Sequence, residues 1–292
     1  MRRWTARAER GSTSLIRLIA WLAHAAGRPL CRILLYPIVL YFFVADTAAR
    51  RASYEFLSAA TNRRAGWVDV FAHLYSFAAT LLDRVYMAAG DFHRFHISIA
   101  GDDLVQRALA SGRGCLLLGS HLGSFDLLML ANTAFKGLPV NIMMHFDPRS
   151  RVRRIAGIDD SGFRIIPLGR PNSFLRAYEL LERGEIVAML ADRVDGSGAS
   201  LESRFLGKPA SFPLGPHLLA ARAGVPVILC FGLYEGGADY RIEFAEFGPA
   251  APASSRRVML QPAVDRYASM LEQAAKRHPN NWFNFYPYWA RR

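Results

Sequence analysis

Short apolar runs that alternate with stretches of helical periodicity constrain this chain more than any other feature. Cys115–Leu118, Pro139–Met144, Ile165–Leu168, Ile186–Ala191 and Pro226–Tyr234 have the length and continuous hydrophobicity of strands buried on both faces. Between them, Leu127–Ala134, Ser173–Glu182 and Leu214–Ala223 place apolar residues at helical spacing. Strands separated by helices cannot pair as hairpins, so the fold class is α/β: a mixed, largely parallel sheet flanked by helices. Upstream, Asp91–Gly101 alternates in strand fashion, and Asp102 or Asp103 is placed to cap a helix running to Ala110. Arg241–Phe247 reads as a further strand and Val264–Arg277 as a last helix. No internal repeat interrupts the series.

The first fifty residues have another character. Arg2, Arg3, Arg7, Arg10 and Arg17 accompany two apolar segments, Leu15–Ala26 and Leu30–Val44, separated by Gly27-Arg28-Pro29. A bilayer crossing takes about 20 apolar residues, and the second segment is shorter and carries Arg32 and Pro37. No cleavage site follows it, and it lies too deep in the chain for a secretory signal. Residues 1–50 therefore read as a basic, apolar helical element lying on an anionic membrane surface, and 51–292 as the α/β domain preceded by connecting helices over Ala52–Ala89. Tyr36, Tyr41, Phe42 and Phe43 suit a membrane interface. A helical layer packed on the domain is the competing reading.

A net charge of +12 implies an anionic partner. Nucleic acid is excluded because aromatic residues do not interleave with the arginines as a base-stacking surface requires. Cys31, Cys115 and Cys230 each sit in an apolar stretch without paired or metal-ligand spacing, which points to buried thiols in a reducing compartment. His93 and His96 have no third ligand at suitable spacing, so no metal site is expected.

Polar groups directly after strands carry the chemistry in such sheets, because ligands collect at the carboxyl ends of the strands. Three clusters stand there. The first is Gly119-Ser120-His121-Leu122-Gly123-Ser124-Phe125-Asp126, a strand-to-helix turn holding a His-x4-Asp pair, in which Asp126 can orient the imidazole of His121 as a general base. The second is Gly169-Arg170, and the third is Asp192-Arg193. Arg170 and Arg193 read either as ligand-binding cations or as ordinary ion pairs at helix starts. Backbone amides around Gly123 are candidates to face a developing oxyanion. Ser120 and Ser124 lack a Gly-x-Ser-x-Gly setting, and the loop Asp192–Gly198 lacks the spacing of a calcium loop. Arg149-Ser150-Arg151-Val152-Arg153-Arg154 suits either an acidic partner or a solvated helix face.

In order along the chain, these motifs resemble those of the lipid A biosynthesis (lauroyl/myristoyl) acyltransferases, within the lysophospholipid acyltransferase-like superfamily. The resemblance is carried by the basic, apolar N-terminus, the Gly119–Asp126 motif, Leu168-Gly169-Arg170, Leu190-Ala191-Asp192-Arg193, and Phe205 through Gly215 followed by Leu218–Val227. It implies a glycerolipid acyltransferase-like fold and transfer of a fatty acyl group from a thioester, commonly on acyl carrier protein, to a membrane lipid or glycolipid such as a lipid A precursor. It implies no metal and no organic cofactor. His121 and Asp126 would be catalytic, with Arg170, Asp192, Arg193 and Gly123 at the substrate, and the protein would work at the cytoplasmic face of a bacterial inner membrane. Asp126 stands where many lipid A enzymes have Glu. The tail Asn280–Trp289 looks more like relatives from aryl polyene or other specialised lipid pathways, and it reads equally as an aromatic cluster closing the core. A relative that only binds lipid or carrier protein is the non-enzymatic alternative.

Overall fold

The computed structural model describes residues 13–124, 127, 140–145, 164–194, 198–248 and 257–289, and their side chains except those of 13–26, 88, 257 and 258. Helices α1 (Thr13–Ala45), α2 (Thr47–Thr61) and α3 (Trp67–Ala88) precede β1 (His96–Ala100), α4 (Asp102–Ala110) and β2 (Cys115–Gly119). Then follow β3 (Val140–Met144), β4 (Arg164–Pro167), α5 (Ser173–Glu182), β5 (Ile186–Leu190), the hairpin β6 (Ser200–Phe205) and β7 (Lys208–Pro213), α6 (Gly215–Ala223), β8 (Val227–Gly236), β9 (Asp239–Gly248) and α7 (Arg257–Arg277). The main sheet has the order β1-β9-β8-β2-β5-β3-β4. All its pairs are parallel except β8 with β9.

Strand alternation sorts the core onto the two faces. Leu116, Leu118, Val187, Met189, Leu229 and Phe231 pack with α5, α6 and α7, while Cys115, Leu117, Ile186, Ala188, Ile228 and Cys230 pack with α3 and α4. Every residue of β2 is buried, and each such leucine contributes about 1.5–3 kcal/mol of transfer free energy. The strands expected from apolar runs are all present. At α4 the expected side-chain cap is absent: Asp102 and Asp103 lie in the first helical turn, where carboxylates suit the helix dipole, and Gly101 precedes them at φ 76°. A Cβ at Gly101 would lie 2.3 Å from the Phe244 carbonyl oxygen, which requires glycine.

The β6–β7 hairpin was not visible in the sequence pattern. It turns on Leu206 and Gly207, both with positive φ (52° and 78°), the geometry of a two-residue hairpin turn. A leucine is costly there, and its amide is held by the Glu272 carboxylate at 2.6 Å.

The break read at Gly27-Arg28-Pro29 is a kink in α1, with Gly27 at φ 76° and ψ 163°. Beyond it, Cys31, Leu35 and Val39 form a buried stripe at i, i+4, i+8. Ile33, Tyr36, Leu40, Tyr41 and Val44 face outward and are 54–67% exposed. Gly27–Ala45 is long and apolar enough by length and composition to cross a membrane, and most of it is uncovered by protein. This segment is nonetheless fastened at its root. Arg28 donates to both carboxylate oxygens of Asp83 (2.8 and 2.9 Å), and Arg32 donates to Asp83 Oδ2 (2.7 Å) and to the Tyr234 hydroxyl (2.6 Å). The Tyr240 hydroxyl completes the set on Asp83 Oδ2 at 2.7 Å, and the carboxylate is fully buried.

Two predictions follow the packing. Replacing Asp83 by Ala leaves two guanidinium groups without their buried counter-charge, so unfolding free energy in denaturant should fall by about 3–5 kcal/mol, with protease cleavage appearing near Gly27. Gly123 has φ 79°, and a Cβ there would stand 1.9 Å from the Gly232 carbonyl oxygen. Gly123→Ala should therefore cost at least the roughly 1–3 kcal/mol of a strained left-handed residue, read as a lowered melting temperature.

Candidate functional site

The site begins where two central strands end side by side. Gly119 of β2 pairs with Leu190 of β5, and the Ala191 amide donates to the Gly119 carbonyl at 3.0 Å, so Ser120-His121 and Ala191-Asp192 leave the sheet as neighbours. Tyr267 of α7 donates its hydroxyl to the other lone pair of the same Gly119 oxygen at 2.8 Å.

Asp192 grips His121 twice. Its Oδ1 lies 2.9 Å from His121 Nδ1, and its Oδ2 accepts the His121 backbone amide at 3.1 Å. A carboxylate only accepts, so Nδ1 carries the proton and Nε2 keeps its lone pair. Among the described residues nothing is bonded to Nε2, and the side chain is 29% exposed, whereas that of Asp192 is fully buried. Burial pushes the His121 pKa below its ordinary value and the Arg193 charge adds to that, while Asp192 opposes them. For Asp192, burial acts upward, but the attraction and hydrogen bonds of His121, helped by Arg193, hold it below the usual carboxylate range. The result at neutral pH is a neutral imidazole with an unbonded Nε2 beside an ionised carboxylate, an arrangement chemically able to accept a proton.

The chain around 281–289 supplies the walls. The Phe283 amide donates to the His121 carbonyl (3.0 Å), the Gly123 amide donates to the Asn281 carbonyl (2.6 Å), and Leu122 bridges to Trp282. Asn281 is itself fixed on the β8 backbone at Tyr234, accepting from its amide at 2.8 Å and donating to its carbonyl at 3.0 Å. Tyr288 donates its hydroxyl to the Asp192 carbonyl at 2.8 Å. Arg193 lies 3.9 Å from Asp192 Oδ2, donates to the Phe283 carbonyl at 3.0 Å, and stacks over the Tyr286 ring at 5.3 Å.

Behind this layer, fully buried His73 lies 2.7 Å from the Trp282 carbonyl through Nε2 and 2.6 Å from the Ser53 hydroxyl through Nδ1. The carbonyl can only accept, so Nε2 carries the proton. Burial lowers its pKa to about 4, against a weaker pull from the carbonyl. The ring is therefore a neutral strut.

The structure thus gathers His121, Asp192, Arg193 and the Gly123 backbone. Asp126, the carboxylate expected to orient the imidazole, lies outside the described residues, as do the Arg149–Arg154 run and most of the helix after Gly123. The carboxylate on His121 Nδ1 is Asp192, read from sequence as a substrate contact. The amides expected to face an oxyanion are occupied instead: Gly123 on Asn281, and Ser124 on the Gly232 carbonyl at 2.7 Å. Arg170 stands exposed on the turn after β4, three strands from β2 in the sheet order, or about 14 Å at the usual strand spacing. It lines a cavity of about 240 Å³ with Arg164, Asn172 and Arg176. His96 pairs with Asp239 at the surface (2.9 Å), and among the described residues no three His, Cys, Asp or Glu side chains cluster as metal ligands. Sequence reasoning missed the roles of Tyr288, Asn281, Phe283 and His73. The aromatic density of the tail signalled packing, but nothing in its spacing signalled pairing with residues some 160 positions earlier.

Two phosphatidylinositol mannoside acyltransferases of Mycobacterium tuberculosis, from strains CDC 1551 / Oshkosh and ATCC 25618 / H37Rv, are each 28% identical over 197 residues. The alignment takes in 65% of this chain and 59% of theirs, so the chain spans less than two thirds of these relatives. The family model of the bacterial lipid A biosynthesis acyltransferases matches residues 74–291, a span that holds His121, Asp192, Arg193 and the 281–289 segment. The chain belongs to the bacterial lipid A biosynthesis acyltransferase family.

Proposed function

We propose that this protein is a membrane-associated acyltransferase that moves a fatty acyl group from a thioester to a hydroxyl of a membrane glycolipid. The observation that carries the reading is His121, its Nδ1 on the buried Asp192 carboxylate and its Nε2 directed outward at the carboxyl edge of the central strands. His121 Nε2 takes the proton of the acceptor hydroxyl as that oxygen attacks the thioester carbonyl carbon. Asp192 holds the tautomer and stabilises the imidazolium. The tetrahedral intermediate collapses, the carbon–sulfur bond breaks, and the imidazolium returns its proton to the departing thiolate, leaving an ester and a free thiol. No covalent enzyme intermediate is needed. His121, helped by Arg193, keeps Asp192 ionised. Arg170, exposed past β4, meets an anionic part of a ligand, and Asp126 of the Gly119–Asp126 motif belongs to the same catalytic group in this reading.

Acyl carrier protein is the proposed donor, since the formal charge of +12 favours an acidic partner. The acceptor is a glycolipid of the type named for the family and its mycobacterial relatives, a lipid A precursor or a phosphatidylinositol mannoside. Residues 1–50 rest on the cytoplasmic face of the bacterial inner membrane, supported by the uncovered apolar face of Gly27–Ala45.

The test is transfer of labelled acyl groups from carrier-protein or coenzyme A thioesters into bacterial membrane lipids. His121→Ala should abolish turnover without loss of vesicle binding, and equal transfer by both forms would sink the reading. Asp192→Asn should lower kcat/KM by about 10²–10⁴-fold. The base works only when neutral and its pKa is depressed, so activity should persist through the ordinary histidine range near pH 6.5 and fail only below it. Because Asp192 raises the His121 pKa, the acid limb of Asp192→Asn should move lower still.

A further inference from the structure

The helices ahead of the sheet end in an exposed apolar corner. Tyr36 of α1 packs on Tyr75 of α3 at 4.8 Å between ring centres, and Phe43 packs on Phe71 at 6.2 Å. The two helices therefore run antiparallel, and the first turn of α3 lies beside the last turn of α1. Trp67, one turn ahead of Phe71, shares its face of α3. Trp67 is 67% exposed and Val68 is 58% exposed. At the neighbouring end of α1, Tyr41, Phe42 and Val44 are exposed as well, and no charged residue stands between Arg32 and Asp46.

Scattered exposed hydrophobic residues are ordinary, whereas contiguous ones contributed by two helices mark a contact surface. This corner is also braced. Asn62 ends α2 in a left-handed conformation, φ 52°. Asp69 accepts the Gly66 amide at 2.6 Å and two Arg63 nitrogens at 2.7 and 2.8 Å, and the Ala65 amide donates to the Ser58 hydroxyl at 3.0 Å. Trp67 and Val68 are thus held outward on a fixed turn.

The surrounding charge selects the occupant. Arg50 lies over the Phe43 ring at 5.4 Å and donates to the Val44 carbonyl at 3.3 Å. Arg51, next to it in α2, and Arg64, three residues before Trp67, are both exposed. Two copies meeting through this corner would bring like charges together. An anionic bilayer instead supplies the counter-charge, at the depth where tryptophan is favoured.

We propose that the membrane contact is a composite surface, in which Trp67 and Val68 at the α2–α3 corner enter an anionic bilayer beside the outer face of α1, while Arg51 and Arg64 meet its phosphates. This inference rests on the membrane-associated reading and extends it past residue 50. Because Phe77 of the same α3 packs on Phe283 at 5.3 Å, and the Phe283 amide holds the His121 carbonyl, the corner also sets the height of the site above the lipid.

The test uses the full chain and vesicles of phosphatidylglycerol and phosphatidylethanolamine. The double variant Trp67→Ser with Val68→Ser should sediment with them about tenfold more weakly at an unchanged melting temperature. An environment-sensitive dye on Val68→Cys should shift to the blue on vesicles, as should one on Val44→Cys, the native thiols being buried. Silence at Val68 while the wild type sediments overturns the corner, as does undiminished binding by the double variant. If that variant melts lower, the Val68 dye decides alone: a shift supports the corner and silence overturns it. A wild-type dimer in light scattering that the double variant converts to monomer makes the patch an interface between copies and also overturns the proposal. Wild type that does not sediment, with both dyes silent, overturns the membrane-associated reading itself.

Discussion

Backbone pairing between residues 281–283 and 121–123 is the constraint on which the site depends. These residues form an irregular crossing in which one chain segment fixes another by its amides and carbonyls. Only glycines allow the approach. Gly123 takes a left-handed φ against the Gly232 carbonyl, and a Cβ on Gly232 would in turn lie 2.2 Å from the Ser124 carbonyl. Three chain segments therefore meet at backbone distance, and the imidazole stands directly beside the place where they meet. Its carbonyl is tied to Phe283, its amide to Asp192 and its ring to the same carboxylate. Side chains held this way lose little entropy when a ligand arrives.

A fully buried Asp192 is tolerable because each of its attachments does a separate job. The histidine contributes two donors, Arg193 contributes charge at 3.9 Å, and Tyr288 ties down the backbone on which the carboxylate is carried. Isolated, such a charge would take up a proton rather than remain ionised. Asp83 solves the same problem in a different place, with two guanidinium groups and a tyrosine hydroxyl. One buried acid orients the reactive imidazole; the other fastens the apolar helix.

The sheet was legible because a strand covered on both faces must be apolar throughout, and Cys115–Gly119 and Ile186–Leu190 meet that demand. His121 and Asp192 were legible for a related reason: each is a polar residue just after such a run. Their partnership was not. It depends on β2 and β5 being neighbours, with β3 and β4 placed beyond β5, and linear order carries no trace of that arrangement. A carboxylate five positions from the histidine drew attention that the one on the adjacent strand did not. The hairpin at Leu206-Gly207 hid because leucine is an unusual residue for positive φ, and its compensation comes from Glu272 on a distant helix. The tail was read as packing or interface; Trp282 does pack on Phe56 and Phe205, but the backbone of that segment also builds the site.

The dependence of His121 on residues near 281–289 has a consequence in time as well as in space. Ribosomes deliver a chain from its amino end at a limited pace, so the apolar helix and the strand bearing the histidine leave the exit tunnel well before Asn281, Phe283 and Tyr288 exist. During that interval the nascent protein can settle on a lipid surface, but its imidazole lacks the tethers that aim it. Synthesis thus separates the emergence of the apolar helix from the completion of the His121 site, and a chain cut short before this segment would carry the histidine without the contacts that hold it.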